Sequence, residues 1–509
     1  MSSRNKRIAK NTAFLYMRML LIIVIQFFTV RITLKYLGVV DYGIYNVVCG
    51  VTNVFTFLTH TMTSASQRFL AYDLGVGDMK QLKRTFDTLV SLFTVCALIG
   101  VIVLAVVGTW FIHTHLVIPP DRLDAALVAF YFTLAALFVS IFVLPYNSLI
   151  IAHEEMKTFA YISIVDALLK LGIVYCLVIV PIDKLILYAS LTFVAYLIPS
   201  LIYVLYCHKK YEEATWKRDV EWSLSRKIVP FMSWNLLGGL SWMLCTQGLS
   251  ILINLFFGPV ANAAKAIADK VNSSINGFSN NFMMAVQPQI VKTYAVNDLE
   301  AMHKVIFLAS KMSFFMMMML TIPIAASADG ILSIWLEEHD ALTVYMMQSV
   351  LMFSLISALE VPINQAIRAT GNIRDYQVYV GLVTFLVIPI AYIFFKLGQD
   401  AYYGYIALIL VYGVAYLFRL YYLKKQIHIT YRKYFQQVLK YCMRCTLLDV
   451  ALIVVSYAIG LNEIMHPLFY CAASFFVTIL IIYLCGLSKE EQMKAESMIA
   501  KRIYKNKNV

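Results

Sequence analysis

The 509-residue chain is 61% hydrophobic and only 14% charged. This balance excludes a soluble globular protein, because so much apolar surface could not be buried in one. The net charge of +13 does not indicate nucleic-acid binding, because the basic residues lie in loops between long apolar runs. We therefore expect an all-α polytopic membrane protein.

Fourteen apolar runs approach the length of about 20 residues that a membrane-spanning helix requires. In chain order, their predicted cores are 13–35, 43–66, 87–110, 125–151, 158–180, 184–206, 229–256, 261–287, 304–325, 342–367, 377–395, 402–423, 442–460 and 466–486. No small-residue cleavage site follows the basic N-terminal segment, so we interpret the first run as a retained helix and not as a signal peptide. Hydropathy alone supports the eighth run least, because that run contains lysine, aspartate and several asparagines.

Lysine and arginine concentrate in alternate loops, as the positive-inside rule expects of cytoplasmic segments. Basic residues mark the N-terminal segment, 80–84, 209–227, 424–433 and the C-terminal tail. The opposite loops are poor in lysine, and the longest, S-A-D-G-I-L-S-I-W-L-E-E-H-D-A, has about fifteen residues. The alternation predicts that both termini are cytoplasmic. Membrane lipids with anionic headgroups are expected to bind the same basic loops.

Two offsets in the chain indicate an internal duplication. A shift of 220 residues aligns 37–46 (L-G-V-V-D-Y-G-I-Y-N) with 257–266 (F-G-P-V-A-N-A-A-K-A) and also pairs Asp78 with Asp298. A shift of 217 aligns L-P-Y-N-S-L-I-I-A with V-P-I-N-Q-A-I-R-A. Apolar helices also align by chance, but two matches at nearly one offset favour a duplication. Each half would contain six helices, which makes the halves parallel repeats, as in many secondary transporters with a substrate site between their halves.

The repeat predicts the division of the chain into domains. An N-terminal six-helix bundle occupies 1–210, and a charged cytoplasmic linker follows at 211–228. A second six-helix bundle occupies 229–425, and 426–509 adds two further helices and a basic tail. The expected architecture is two parallel six-helix repeats around a central cavity plus two C-terminal helices.

The eighth run contains a polar stripe at helical spacing. Steps of three, four or their multiples place one set of side chains on one face, namely Asn262, Lys265, Asp269, Asn272, Asn276, Ser279 and Gln287. The second run has milder residues at the matching positions, including Thr52 and Thr56. These polar residues either line a shared cavity or form hydrogen bonds between helices. For Lys265 and Asp269 the cavity is favoured, because a charge facing lipid costs at least about 2.5 kcal/mol.

Other candidate site residues with ionisable side chains within the predicted spans are Arg18, Arg31, Asp166, Lys170, Lys311 and Glu360. The three cations without a neighbouring acid either bind a ligand or snorkel to lipid headgroups. Asp166 and Lys170 are four residues apart and are expected to neutralise each other. Glu360 lies beside Pro362 and Asn364, so this site, together with Asp269, is a candidate for coupling to Na+ or H+.

The candidate cations outnumber the candidate acids. Arg18, Arg31, Lys265 and Lys311 would suit an anionic group such as a pyrophosphate, whereas an organic cation would require acids. Asn272, Asn276 and the threonines of the second run can form hydrogen bonds with sugar hydroxyls. These residue types together favour a lipid-linked, phosphorylated saccharide as the ligand.

Three segments carry a family resemblance. N-T-A-F-L-Y-M-R-M-L, L-G-V-V-D-Y-G-I-Y-N-V-V and L-P-Y-N-S-L-I-I-A-H-E-E-M resemble bacterial polysaccharide transporters of the O-antigen flippase type. These transporters belong to the multidrug/oligosaccharidyl-lipid/polysaccharide exporter superfamily. The resemblance implies a V-shaped central cavity and alternating access in the bacterial inner membrane. The implied cargo is an undecaprenyl-pyrophosphate-linked repeat unit for O-antigen, capsule or exopolysaccharide, moved from the cytoplasmic to the periplasmic leaflet, with a polysaccharide polymerase as a further partner.

The resemblance also implies site residues. In the related lipid II flippases, cationic residues of the first and eighth helices line the cavity, and Arg18, Arg31 and Lys265 lie in those helices here. A cation-coupled multidrug exporter is the nearest alternative, although the cationic candidates argue against it. A membrane glycosyltransferase or polymerase is a further alternative, but such enzymes usually expose a sizeable outer loop.

We expect no enzymatic activity and no cofactor. The chain contains no Walker A motif, which disfavours ATP hydrolysis, so energy would come from an ion gradient or from removal of the product. The nine cysteines lie mostly within predicted helices and favour neither a disulfide framework nor a metal site.

Overall fold

The computed structural model describes residues 11–22, single positions between 25 and 52, 55–114, 118–180, 182–215, 217, 220–336, 339–489 and 491–493. Parts of the predicted spans 13–35 and 43–66 lie outside the described residues, and so does Arg31. Everything described is helix, turn or loop, and no strand occurs in this part of the chain. The expected all-α class is therefore confirmed.

The chain divides into two compact units. The first unit comprises Arg7–Leu236 and Val291–Asn297, and the second comprises Leu237–Ile290 and Asp298–Val509. The helices of the first unit are α1 (11–22), α2 (Thr56–Val76), α3 (Met79–Thr114), α4 (Leu123–Ala152), α5 (Met156–Ile179) and α6 (Lys184–Lys210). The domain boundaries expected from the sequence stay a prediction.

The helix α7 (Trp222–Ala295) begins in the first unit and supplies much of the second. The remaining helices are α8 (Leu299–Ala326), α9 (Ala328–Leu336), α10 (Ala341–Thr370), α11 (Arg374–Phe385), α12 (Val387–Lys396), α13 (Tyr403–Ile427), α14 (Tyr431–Tyr434), α15 (Lys440–Ala458), α16 (Leu461–Ile464) and α17 (Pro467–Ile481). Helix α9 lies in the segment that the sequence indicated as the longest outer loop. Its apolar residues Ile331, Leu332 and Ile334 suit a short helix, and Leu332 is buried.

Ten helical stretches in the described part of the chain are long and apolar enough to cross a membrane. They correspond to all of the predicted spans except the first, second, eighth and thirteenth. The eighth is nevertheless helical, and so is the thirteenth, which forms α15. The chain is thus a multi-pass membrane protein.

Helix α7 is two helices joined at Gly258. This glycine has φ 79° and ψ −171°, a conformation that side-chain-bearing residues rarely adopt. Trp242 and Asn272 line one cavity, although a straight helix would place them about 45 Å apart. The chain therefore reverses at Gly258 into a first arm (Trp222–Gly258) and a second arm (259–295), which contains the polar stripe.

Matched helix ends support the duplication. Helix α2 is followed by Gly77 with φ 82°, and α7 is followed closely by Asn297 with φ 56°, which is 220 residues later. In both repeats an aspartate then caps the next helix. Asp78 accepts from the backbone N–H of Gln81 and Asp298 from that of Ala301, each at 3.0 Å.

The second offset gives the same result. Glu154 after α4 and Gly371 after α10 are 217 residues apart, and both are left-handed, with φ of 63° and 78°. Pro145 and Pro362 occupy equivalent interior positions of these two helices. In both halves of the sequence, a residue in the left-handed conformation therefore follows the equivalent helix.

Small residues allow the second arm to pack closely within its unit. Ala261, Ala264 and Ala268 are buried on the face next to the polar stripe, in one apolar cluster with Met347 and Val350 of α10. Since this face is fixed against α10, the stripe is held in one orientation. The packing thus positions the polar side chains described next.

Candidate functional site

The charged residues of the stripe form a local pair. Lys265 Nζ lies 2.6 Å from Asp269 Oδ2, one helical turn away, and the hydroxyl of Tyr405 on α13 donates to Asp269 Oδ1 at 2.7 Å. Lys265 is buried, whereas 43% of the Asp269 side chain is exposed. The lysine is therefore neutralised within its own helix, and its carboxylate partner is the more accessible of the two.

The asparagines below this pair form a hydrogen-bonded network. Asn272 Oδ1 accepts from Asn276 Nδ2 at 2.7 Å and also from the hydroxyl of Ser354 on α10. These hydrogen bonds do not use Asn272 Nδ2 or Asn276 Oδ1, so both atoms are available to other partners. Both predicted uses of the stripe, hydrogen bonds between helices and the lining of a cavity, thus occur in the same residues.

A cavity of about 470 Å³ lies inside the second unit. Its amide-bearing lining residues are Asn272, Asn276, Asn280, Asn364 and Gln377, and its charged lining residues are Glu360, Arg368 and Arg419. Neither Lys265 nor Asp269 is among the residues that line it. The cavity therefore combines the predicted asparagines and Glu360 with two arginines that the sequence did not single out.

Glu360 is held by an arginine from a distant part of the sequence. Arg419 Nη1 on α13 donates to Glu360 Oε1 at 2.9 Å, and the two residues are only 5% and 3% exposed. Asn364 and Arg368 follow Glu360 at steps of four on α10, so the three residues share one face. This spacing is the signal by which Arg368 could have been found from the sequence.

The predicted residues of the first unit lie elsewhere. Arg18 donates to the Ser163 hydroxyl at 3.4 Å and lies 4.7 Å from the centre of the Phe159 ring, both on α5. Thr52 donates to the carbonyl of Cys49 at 2.8 Å. The side chain of Thr56 lies outside the described residues. Arg18 and Lys265 belong to different units, so their roles in one site stay predictions.

Lys311 has a partner near the C-terminus. Its Nζ lies 2.6 and 2.7 Å from the two carboxylate oxygens of Glu491, and the lysine is only 4% exposed. The charge of Lys311 is therefore compensated by a carboxylate of the C-terminal segment. Burial opposes the ionisation of Glu491, but the hydrogen bonds from Lys311 outweigh burial and hold the pKa of this carboxyl below its usual value. Asp166 and Lys170 are also paired, at 2.8 Å, as expected.

The cysteines offer little for a metal. Cys442 and Cys445 have C-x-x-C spacing on α15, and both are buried. Within the described ranges, no three His, Cys, Asp or Glu side chains come together as a metal site. The chemistry of the cavity is thus that of amides, guanidinium groups and one carboxylate, which suits an anion attached to a hydroxyl-rich group.

Several solved transporters share the fold. A MATE in complex with MaD3S has a TM-score of 0.71 and 13% identity, covering 82% of this chain and 96% of that chain. An outward-facing multidrug resistance MATE family transporter of the MOP superfamily has a TM-score of 0.67 and 14% identity, with coverages of 82% and 96%. A MOP superfamily transporter from Pyrococcus furiosus, noted for the reverse polarity of its binding pocket, has a TM-score of 0.68 and 12% identity, with coverages of 83% and 97%. The fold is therefore that of MOP-superfamily transporters.

The sequence itself places the chain in a family. The family model described as polysaccharide biosynthesis protein matches residues 8–294, which is more than half of the chain. No curated protein sequence matches significantly. The chain belongs to the polysaccharide biosynthesis protein family, and the family resemblance predicted from its sequence segments is confirmed.

Proposed function

We propose that this protein is a flippase for a polyprenyl-pyrophosphate-linked oligosaccharide. It moves the repeat unit from the cytoplasmic to the periplasmic leaflet by alternating access, for assembly of a surface polysaccharide such as O-antigen, capsule or exopolysaccharide. The proposed location is the bacterial inner membrane with both termini cytoplasmic. The proposed partners are the undecaprenyl-linked saccharide, membrane lipids and a polysaccharide polymerase.

The composition of the cavity carries this proposal. Two arginines and one glutamate leave one net positive charge, and an amide-rich wall adjoins them. Guanidinium groups bind phosphate oxygens bidentately, and amides can donate to and accept from sugar hydroxyls. Such a cavity inside a membrane protein of the polysaccharide biosynthesis family suits a phosphorylated saccharide better than any other common membrane ligand.

The two candidate acids, Asp269 and Glu360, disfavour a multidrug exporter. A drug cation needs an available carboxylate, but Glu360 is paired with Arg419, and Asp269 is paired with Lys265. An enzyme such as a glycosyltransferase is also disfavoured, because the family and the fold point to a transporter.

Roles within the site extend the sequence predictions. Arg18, Arg31, Lys265 and Lys311 stay proposed contacts for the headgroup, although Lys265 and Lys311 already have carboxylate partners. Asn272 and Asn276 are proposed to contact sugars, together with Thr52 and Thr56. Coupling to Na+ or H+ is proposed to use Asp269, Glu360 and Asn364, with no other cofactor.

Deletion of the protein in its own host tests the proposal. The expected result is accumulation of a complete pyrophosphate-linked repeat unit in lipid extracts, with loss of the corresponding surface polymer. The wild-type protein should restore both when it is expressed from a plasmid. Unchanged lipid-linked saccharides together with new sensitivity to cationic drugs would instead support the exporter.

A further inference from the structure

We propose that Arg368, Arg419 and Tyr376 form an anion subsite for the pyrophosphate, and that Glu360 is an internal anion which the ligand displaces from Arg419. This inference rests on the proposed flippase function and names the residues that would hold the charged part of its cargo. It differs from the sequence prediction, which assigned that role to Arg18, Arg31 and Lys265.

Three buried donors in the cavity have no acceptor. Arg368 Nε and Arg419 Nε lack an acceptor among the described residues, and both residues line the cavity. The hydroxyl hydrogen of Tyr376 also lacks an acceptor there, because its neighbour Arg419 can only donate. A buried donor without a partner is costly and uncommon in folded proteins. Three such donors around one cavity indicate that an acceptor-rich group completes it. A pyrophosphate is such a group, because it has only acceptor oxygens on its surface.

The charges around the cavity do not cancel. Arg368 has no carboxylate within 4 Å in the described part of the chain, whereas Arg419 is paired with Glu360. The other residues that line the cavity are uncharged. An uncompensated charge is unfavourable inside a membrane protein, and it usually marks a functional site. The cavity therefore requires one further negative charge, which the ligand would bring.

The Glu360–Arg419 pair is built so that an anion can compete with it. One hydrogen bond, from Arg419 Nη1, joins the two side chains, and the Nε edge of the guanidinium remains unused. A phosphate group can engage both edges of a guanidinium at once. Displacement of Glu360 would thus replace one hydrogen bond with a bidentate contact. It would also free the carboxylate to accept a proton or a cation.

The donors lie at one end of the cavity. Arg368 is two residues before the end of α10 at Thr370, and Tyr376 is two residues after the start of α11 at Arg374. The N-terminal turn of α11 adds a favourable dipole for an anion. The predicted topology puts this end at the cytoplasmic surface, where the pyrophosphate of a lipid carrier would reside. Asn272 lies farther along the cavity, in the position expected for the attached sugar.

Binding of inorganic pyrophosphate to the purified protein in lipid nanodiscs tests the subsite. Arg368→Gln is the decisive variant, because removal of this side chain leaves no carboxylate unpaired. We expect at least 10-fold weaker binding, together with unchanged or higher thermal stability of the ligand-free protein. Arg444→Gln is the matched control, because Arg444 is exposed on α15 and does not line the cavity. It should bind pyrophosphate as the wild type does.

Variants of the ion pair test the displacement. Glu360→Gln should bind pyrophosphate several-fold more tightly, because the ligand no longer competes with an internal carboxylate. The double variant E360Q/R419Q removes both charges, so it should fold but bind weakly. Equal binding by R368Q and R444Q, weaker binding by E360Q than by wild type, or no binding by wild type would each overturn the proposal.

Two further arms separate this inference from the flippase function and from other phosphate sources. One outcome is that lipid-linked saccharide accumulates in the deletion strain and yet is cleared fully when R368Q is expressed there. In that case the subsite is wrong and the flippase stands. If pyrophosphate binding needs Arg368 but the deletion leaves those saccharides unchanged, the anion subsite stands and the flippase is wrong. A short-chain polyprenyl pyrophosphate that competes more strongly than pyrophosphate identifies a lipid carrier. Equal competition identifies a free phosphate compound.

Discussion

Arg419 and Glu360 form a buried ion pair between α13 and α10, with Nη1 and Oε1 2.9 Å apart and both residues at least 95% buried. Removal of one partner leaves a buried charge without compensation, which typically costs about 3–5 kcal/mol. Removal of both partners avoids this cost. The pair is therefore expected to be strongly coupled in stability.

A double-mutant cycle measures this coupling. Arg419→Gln is expected to lower the free energy of unfolding by about 3–5 kcal/mol, and the double variant E360Q/R419Q by clearly less. Denaturation of the purified protein in detergent gives the values. Additive effects of the two single changes would show that the residues do not interact in the folded protein.

The Lys265–Asp269 pair predicts an asymmetry between two substitutions. Asp269→Asn leaves Lys265 buried at 6% exposure without a counterion. Lys265→Gln leaves a carboxylate that is 43% exposed and still accepts from Tyr405. We expect D269N to lower the thermal unfolding temperature more than K265Q does, because a buried charge without compensation costs more than an exposed one. An equal or reversed order would show that exposure does not determine the effect.

The contact between Lys311 and Glu491 predicts a pH dependence. Since the pKa of the Glu491 carboxyl is lowered in the folded protein, its stabilising contribution is complete above the ordinary glutamate pKa of about 4.3. The contribution is lost as the pH falls through the lower folded-state value. The difference in unfolding temperature between wild type and Glu491→Gln should therefore be large at pH 7 and shrink below about pH 4. A constant difference across this range would contradict the assignment.

Gly258 predicts a backbone effect. An alanine would have to adopt φ 79°, which costs about 1–3 kcal/mol, so Gly258→Ala should destabilise the protein by about that amount. Gly413→Ala is the matched control, because Gly413 lies within the regular helix α13 with open space around its Cα. There the change should be neutral or stabilising by up to about 1 kcal/mol. Thermal unfolding of both variants makes the comparison, and similar values would show that the conformation at Gly258 carries no strain.

Hydropathy and charge predicted most of the fold, because each spanning helix is encoded by its own local run of apolar residues. The second arm is the informative case. It is not among the ten apolar stretches, yet the spacing of Asn272 and Asn276 predicted a helix with one polar face. The reversal at Gly258 lies between the predicted spans 229–256 and 261–287, so the run lengths indicated its place.

The site was predicted less well, because its contacts join distant parts of the sequence. Glu360 and Arg419 are 59 residues apart, and nothing in a single sequence pairs them. Pairs between residues of one helix could be predicted from their spacing. Spacing of four residues predicted the Asp166–Lys170 pair. The same spacing pairs Lys265 with Asp269, although the polar stripe favoured a cavity role for these two charges.

The reversal at Gly258 bears on how the protein enters the membrane during synthesis. The first arm is apolar, with a mean hydropathy of 1.6, whereas the second arm contains Lys265 and Asp269, each of which adds about 2.5–3.5 kcal/mol to insertion of a lone helix. Two arms that fold back on each other can be released into lipid as one hairpin, so that the first offsets the penalty of the second. If only one arm of this hairpin entered the bilayer, every later loop of the chain would emerge on the opposite side.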